Sequence, residues 1–357
     1  MNTIGQIEFK KIGRISPSQF YLMKNCPYRS LLANAFNQKP LLPISPSGYL
    51  GSVLHKVLEL IAKGIVRNEE DFNLAFDEQV KIVELNLLER GYSFFIPLQK
   101  SVVNFGIKKI LLKKHLRTTS YPSVKMSKMK FYSEKWFESK DKQIAGKIDL
   151  IIDYDRDIEI IDFKTGAVTE NILDDIGEIH EIKEEYKDQL KLYAYLYFEN
   201  TGKFPNKLSL VDLSKQKFTI DFSRAECYTI FEAAKELIHS TNESIHNQRF
   251  VANPSETNCK YCLYRPACCF FQEQLKTSHS FNDVTGQVSK VLIYKNGNVS
   301  VLLQNGKQFL TITNFTSEKY DEFKNKINQP ISIYNLRKEP VEFIYSTTKQ
   351  TMIYENN

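Results

Sequence analysis

Apolar residues recur at helical spacing through the first 120 or so positions and at alternate positions afterwards, so helices are expected before a sheet. The stretch "SPSQFYLMKNCPYRSLLANAF" opens with Ser16 as N-cap, Pro17 at the first helical position and Gln19 three residues after the cap, which is a capping box. "GYLGSVLHKVLELIAKGIV" and "EEDFNLAFDEQVKIVELNLLER" continue the helical period. A fourth helix is expected from about Val102 to Leu116, with Val103, Ile107, Ile110 and Leu111 on its apolar side and Lys108, Lys109, Lys113 and Arg117 mostly elsewhere.

The period then changes to two. "MKFYSEKWFES", "QIAGKIDLIIDY" and "DIEIIDFKT" read as strands, the last two joined into a hairpin by the turn-rich "YDRD". The helix "EEYKDQLKLYAYLYFENTG" ends at Gly202 and precedes the strands "KLSLVDL" and "QKFTIDF" and a helix beginning near Ser223. This order predicts an α/β fold, a mixed sheet flanked by helices. From about Phe281 two Asn-Gly dipeptides, at Asn296 and Asn305, separate apolar strands into a meander. A short helix, about Thr316 to Ile327, and the strands "PISIYNL" and "VEFIYST" follow. Three strands, a helix and two strands resemble an OB-fold, the small β-barrel that often binds single strands or saccharides. Two domains are therefore expected, residues 1–280 and 281–357, and a chain of 357 residues is long enough for both.

Composition narrows the class. With 42% hydrophobic and 25% charged residues the chain is ordinary for a globular protein, and no apolar run approaches the length of a membrane span. The amino terminus lacks the apolar centre of a signal peptide, which points to a cytoplasmic protein with no membrane partner. Net charge is only +6, but Lys100 to Lys130 holds eight lysines, one arginine and no acid, a one-signed field that attracts phosphate backbones. Six cysteines in a reducing compartment argue against structural disulfides.

The chemistry gathers in the hairpin. Asp162 and Lys164, two apart on "DIEIIDFKT", share one strand face. Such a pair is often only a surface salt bridge, worth little. Here the turn brings Asp149 of "GKIDLII" across from Asp162, and two carboxylates beside an amine form a site for Mg²⁺ or Mn²⁺. Among the cysteines, "NCKYCLYRPACC" clusters Cys259, Cys262 and Cys268, with Cys26 of "KNCPYR" as a distant partner. Spacing alone allows zinc or a [4Fe-4S] cluster in this four-ligand site. Cys269 is a substitute ligand at most, and Cys227 reads as a small buried hydrophobe.

The order Asp, hairpin turn, Asp-x-Lys resembles the PD-(D/E)XK nuclease superfamily, with Ile148 in place of the proline of the name, a departure its RecB-like branch tolerates. Two helical motifs match that branch: Gly51 with His55 in "GSVLHKVLE", and Gln189 with Tyr193 in "DQLKLYAYLY". The resemblance spans residues 14 to 275 and implies a restriction-endonuclease-like fold. It also implies a Mg²⁺- or Mn²⁺-dependent deoxyribonuclease in which His55, Asp149, Asp162 and the backbone carbonyl of Phe163 hold the metal. Lys164 would activate water and steady negative charge, while Gln189 and Tyr193 position the site. The cysteine order is similar to the iron-sulfur staple of AddB-type and CRISPR-associated RecB-like nucleases. It implies a [4Fe-4S] cluster on Cys26, Cys259, Cys262 and Cys268 that clamps the two ends of the nuclease domain.

The implied substrate is DNA, single-stranded or with free ends, cut by an exonuclease in repair, recombination or antiviral defence. The chain has no phosphate loop of the GxxxxGK[ST] kind, so unwinding would fall to a helicase partner. Tyr294, Phe309 and Tyr334, interleaved with lysines, are candidates for stacking on bases. A non-catalytic DNA-end-binding or scaffolding subunit of a helicase-nuclease complex is the alternative. A dead copy is expected to lose an acid or the lysine, and all are present.

Overall fold

The computed structural model describes residues 1–118, 130–154, 157–174 and 177–356. Residues 119–129 of the basic run and the hairpin turn at 155–156 lie outside the described residues. The chain divides into two compact units, one of Ile12–Lys24 and Ser45–Glu243, the other of Met1–Lys11, Asn25–Ile44 and Ser244–Asn357.

In the first unit a mixed sheet runs in the order Lys130–Glu138, Ala145–Tyr154, Asp157–Lys164, Lys207–Asp212, Lys217–Ile220. Neighbours are antiparallel except the central Asp157–Lys164 strand, which lies parallel to Lys207–Asp212. Parallel neighbours need a long crossover. Here it contains a two-stranded ribbon, Thr169–Asp174 with Gly177–Ile182, and the helix Glu184–Thr201. The ribbon was not expected, because adjacent Ile172 and Leu173 interrupt the alternation that marks a strand. The helix ends as expected, with Gly202 at a φ of +71° and its N–H on the Phe198 carbonyl.

The Pro46–Ala62 helix, capped by Ser45, buries Leu50, Val53, Leu54, Val57, Leu58 and Ile61 with Phe72 and Phe76 of Glu69–Glu89. Both lie where the helical period predicts helices, although Leu74, Ile82, Leu85 and Leu88 of the second are exposed. The fourth helix does not. Asn104 takes a left-handed φ of +60°, so the helix spans only Phe105–Lys113 and turns Phe105 and Leu112 inward. Val103, Ile107 and Ile110, expected on the core side, are 78%, 57% and 61% exposed, and Leu111 is half-buried.

The first helical stretch is also two helices, Pro17–Asn25 and Pro27–Ala35. The capping box closes as expected, the Gln19 N–H donating to Ser16 Oγ and the Ser16 N–H to Gln19 Oε1 at 2.8 Å. Pro27 ends the first helix because it disfavours helical backbone in the residue before it. That residue is Cys26, extended at φ −156°.

The second unit contains the Asn-Gly meander, Val284–Ile293, Val299–Asn305 and Gln308–Phe315, with Gly297 and Gly306 at φ +82° and +61° in its turns. After the helix Lys319–Lys324, Pro330–Tyr334 pairs antiparallel with the first strand of the meander. The final segment divides its pairing: Ile344–Ser346 runs parallel to Gln308–Phe315, and Met352–Glu355 antiparallel to Pro330–Tyr334. Val288, Val301, Leu303, Leu310, Ile312 and Ile333 form the core between these strands. No helix among the described residues is long and apolar enough to cross a membrane.

Candidate active site and cysteine cluster

Asp162 and Lys164 leave the central strand on one face, where the Glu184–Thr201 helix presents Gln189 to both. Gln189 Nε2 donates to Asp162 Oδ1 at 3.1 Å, and Lys164 Nζ donates to Gln189 Oε1 at 2.8 Å. Lys164 Nζ also lies 2.7 Å from Asp162 Oδ2, although no hydrogen bond aligns on that oxygen. Asp162 is only 4% exposed, so Oδ2 is a buried acceptor with spare capacity. The amine is fixed from a third side by Tyr186, whose ring centroid is 4.1 Å from Nζ. Tyr186 escaped the sequence reading. Its place three residues before Gln189, on the same helix face, was the available signal.

Asp149 comes across the hairpin and accepts the Phe163 N–H through Oδ2 at 2.8 Å. Burial and the neighbouring charge of Asp162 push its carboxyl up to about 8, against that N–H, which favours the anion. Tyr193 lies one helical turn beyond Gln189, and burial raises its hydroxyl pKa above the ordinary value. It packs against the backbone of Gly146: a Cβ there would sit 3.0 Å from Tyr193 Cε1 and 2.9 Å from Pro17 Cδ. His55 emerges from the opposite side of its helix to the core residues. Its surface is open to solvent, yet the protein around the ring lowers its pKa, with Asp162 opposing and Lys164 assisting. A lowered pKa favours the neutral, ligating form near pH 7. Asp149, Asp162, Lys164, Gln189 and Tyr193 are thus joined through hydrogen bonds or close packing, while His55 borders them.

In the second unit Cys26, Cys259, Cys262 and Cys268 line one cavity of about 20 Å³ together with Arg29 and Arg265. Burial above all, with Cys262 and Cys26 acting in the same direction, pushes the Cys259 thiol up to about 11 and that of Cys268 up to about 12. Arg29 and Arg265 act in the opposite direction on Cys262, whose pKa burial raises. Arg265 was not singled out from sequence. Nη1 donates to the carbonyls of Cys259 and Cys262, and Nε to Asp283 Oδ2 at 2.6 Å, so it holds the loop between the cysteines. Cys269 is exposed, its Sγ 3.7 Å from the Tyr28 hydroxyl, and Cys227 is fully buried, its thiol pushed up to about 12. Among the described residues, no three His, Cys, Asp or Glu side chains are gathered as ligands around one ion position.

Of the three aromatics named as candidates for stacking on bases, Tyr294 and Phe309 are about half exposed, at 51% and 49%. Tyr334 is not available: it is fully buried, its ring edge-on to Tyr354 and its hydroxyl accepting from the Gln272 side chain. It shares a strand face with Ser332, opposite to that of Ile331 and Ile333, and both faces of this strand are buried.

None of the curated proteins matches this chain. Among solved structures, a "Putative exonuclease" from Eubacterium rectale is similar over 73% of this chain and 88% of its own, at 12% identity and a TM-score of 0.41. The description of the PD-(D/E)XK nuclease superfamily matches residues 14–269, a span that takes in the hairpin acids, the lysine, both helical motifs and all four cavity cysteines, and the chain belongs to that superfamily.

Proposed function

We propose that this protein is a Mg²⁺- or Mn²⁺-dependent deoxyribonuclease of the RecB-like branch, an exonuclease acting on single strands or DNA ends in repair, recombination or antiviral defence. The observation that carries the reading is the buried Asp162–Gln189–Lys164 linkage beside Asp149, which leaves Asp162 Oδ2 without an aligned donor. Two carboxylates with a neutral imidazole beside them suit a divalent cation. His55, Asp149, Asp162 and the Phe163 carbonyl would hold it. Bound there, a cation would polarise the scissile phosphate and lower the pKa of water.

The chain's own residues account for the rest. Lys164, held by Gln189 and backed by the Tyr186 ring, meets charge developing on the phosphate oxygens without having to reorganise. Gln189 keeps its amine and the Asp162 carboxylate in fixed relation, and Tyr193 fixes the helix against Gly146. Lysines of the Lys100–Lys130 run would draw in the phosphate backbone by counterion release.

The cysteine cavity is read as the seat of a [4Fe-4S] cluster. Its four thiols line one cavity beside two guanidiniums, and the choice of iron-sulfur over zinc rests on the cysteine order of the resembling nucleases. Residues 281–357 are read as an OB-like barrel domain that follows a nuclease domain of residues 1–280 in the chain. The parallel pairing of the final segment with the third strand, and its antiparallel pairing with the fourth, would close five strands into a ring. Tyr294 and Phe309 remain its candidates for stacking on bases.

End-labelled and circular DNA, single- and double-stranded, digested with Mg²⁺ or Mn²⁺ tests the activity. Cleavage is expected to need the cation and free ends and to vanish in Lys164→Ala. Undiminished cleavage by both Lys164→Ala and Asp162→Ala refutes the assignment. Anaerobically purified protein is expected to be brown, with its visible absorbance lost in Cys262→Ser; a colourless zinc protein removes the iron-sulfur reading.

A further inference from the structure

The Glu69–Glu89 helix carries a second apolar strip, which the described residues leave uncovered. Its inward side buries Phe72, Phe76 and Leu87. On the opposite side Leu74, Glu78, Lys81, Leu85 and Leu88 follow one another at alternating spacings of four and three residues. That is the spacing of a coiled-coil seam, which keeps one line of side chains turned toward a partner helix. Leu74, Leu85 and Leu88 are at least half exposed, and Ile82 beside them is exposed as well. Apolar side chains scattered singly over a surface mean little, whereas a continuous strip of them marks an interaction site.

Two charges occupy the middle of the strip. Glu78 and Lys81 are exposed, and neither makes an ion pair among the described residues. Other acids of the same helix do: Glu69 pairs with Lys113, and Asp77 with Lys109. The strip is also symmetric about one point. Glu78 and Lys81 lie equally far on either side of the midpoint between Gln79 and Val80, and so do Leu74 and Leu85.

Two such helices laid antiparallel about a two-fold axis through that midpoint bring Glu78 of each copy to Lys81 of the other. The same operation brings Leu74 of each copy to Leu85 of the other, and Leu88 extends the strip beyond these layers. A two-fold interface uses one patch on both copies, so the patch must complement itself, and this one does. Parallel pairing along the same seam would instead set Glu78 against Glu78 and Lys81 against Lys81. Opposed like charges reject that arrangement, much as polar residues at seam positions select register in coiled coils.

We propose that this face docks a second copy of the chain, through antiparallel pairing of the two Glu69–Glu89 helices. The seam is short, so the dimer is weak and depends on concentration. Exposed ion pairs add little attraction, and the Glu78–Lys81 pairs serve mainly to exclude the wrong alignment. No residue of the acid site or of the cysteine cavity takes part.

Sedimentation equilibrium of the full-length protein, without DNA, tests the pairing. Reductant keeps the exposed Cys269 from cross-linking copies. Wild-type protein is expected to pass from monomer to dimer over the micromolar range, and a monomer persisting into the millimolar range overturns the proposal. Leu85→Glu, Glu78→Lys and Lys81→Glu are each expected to weaken association by roughly tenfold or more. The signature is rescue. An equimolar mixture of Glu78→Lys with Lys81→Glu is expected to dimerise like wild type, because each introduced charge then meets its opposite, and the double variant is expected to do so by itself. Association unchanged in both single variants overturns the proposal, as does its loss in both without rescue in the mixture. Should either single variant fail to fold, the double variant and Leu85→Glu decide: association kept in the first and lost in the second supports the pairing, and any other combination overturns it.

Discussion

Asp162 is held among hydrogen-bonding and cationic side chains, whereas the four cysteines face a cavity whose charge comes from two arginines alone. Both places concentrate potential metal donors, and their surroundings separate the chemistry each can hold. Oxygens beside amines suit a hard cation that exchanges and keeps water, while enclosed thiols suit a soft group held permanently. The restraints differ accordingly. Gln189 contacts both members of the acid–amine pair through one side chain, whereas Arg265 secures the cysteine loop mainly through backbone carbonyls.

The contrast breaks most visibly at Lys164. Lys164→Ala or Asp162→Ala is expected to lower cleavage by about a thousandfold or more, measured with Mg²⁺ on end-labelled DNA, because a preorganised charge is lost from the site. Visible absorbance attributable to the cysteines should be unaffected. Arg265→Ala should do the reverse. It strands Asp283, 5% exposed, without its cation, and a broken buried pair costs about 3–5 kcal/mol. Denaturant unfolding reads that loss, and Mn²⁺ binding at the acid site should persist.

A smaller effect is expected at Gly146. The added methyl of Gly146→Ala meets Pro17 Cδ at 2.9 Å and Tyr193 at 3.0 Å, an overpacking that costs roughly 1–3 kcal/mol. Because Tyr193 braces the helix bearing Gln189, kcat should fall more than KM rises. Acidity gives the mildest test. Asp149 is pushed up to about 8, so protons compete with a cation for it below that pH. The Mn²⁺ concentration for half-maximal activity should therefore drop as pH rises from 6 to 8, by at most about tenfold per unit. In chelator the sign for stability is opposite. A raised carboxyl pKa favours the fold most below the unfolded value near 4, and that contribution is lost as pH rises through 8. A half-saturating concentration independent of pH would remove Asp149 from the metal's ligands.

The Pro46–Ala62 helix, whose apolar stripe is buried along its length, lies where the pattern puts it, since burial of a continuous stripe overrides local detail. The Val102–Leu116 expectation failed because a single left-handed residue, Asn104, resets the helix start and rotates its face. Periodicity cannot register such a reset. Tyr334 packs instead of standing free to stack: composition says that an aromatic lies among lysines, but only the cover over both faces of its strand decides that it is buried.

What the sequence by itself determined is chemistry carried at short range. Asp162 and Lys164 share a face because side chains alternate along a strand, and Cys259, Cys262 and Cys268 are near one another because few residues separate them. Pro27 likewise determines that the chain breaks at Cys26. Tertiary structure decided everything that depends on register and on distant segments meeting. It brings Cys26 to the other three cysteines and sets Gln189 between Asp162 and Lys164. A one-residue slip between strands would leave the local motifs intact and send those partners to other faces.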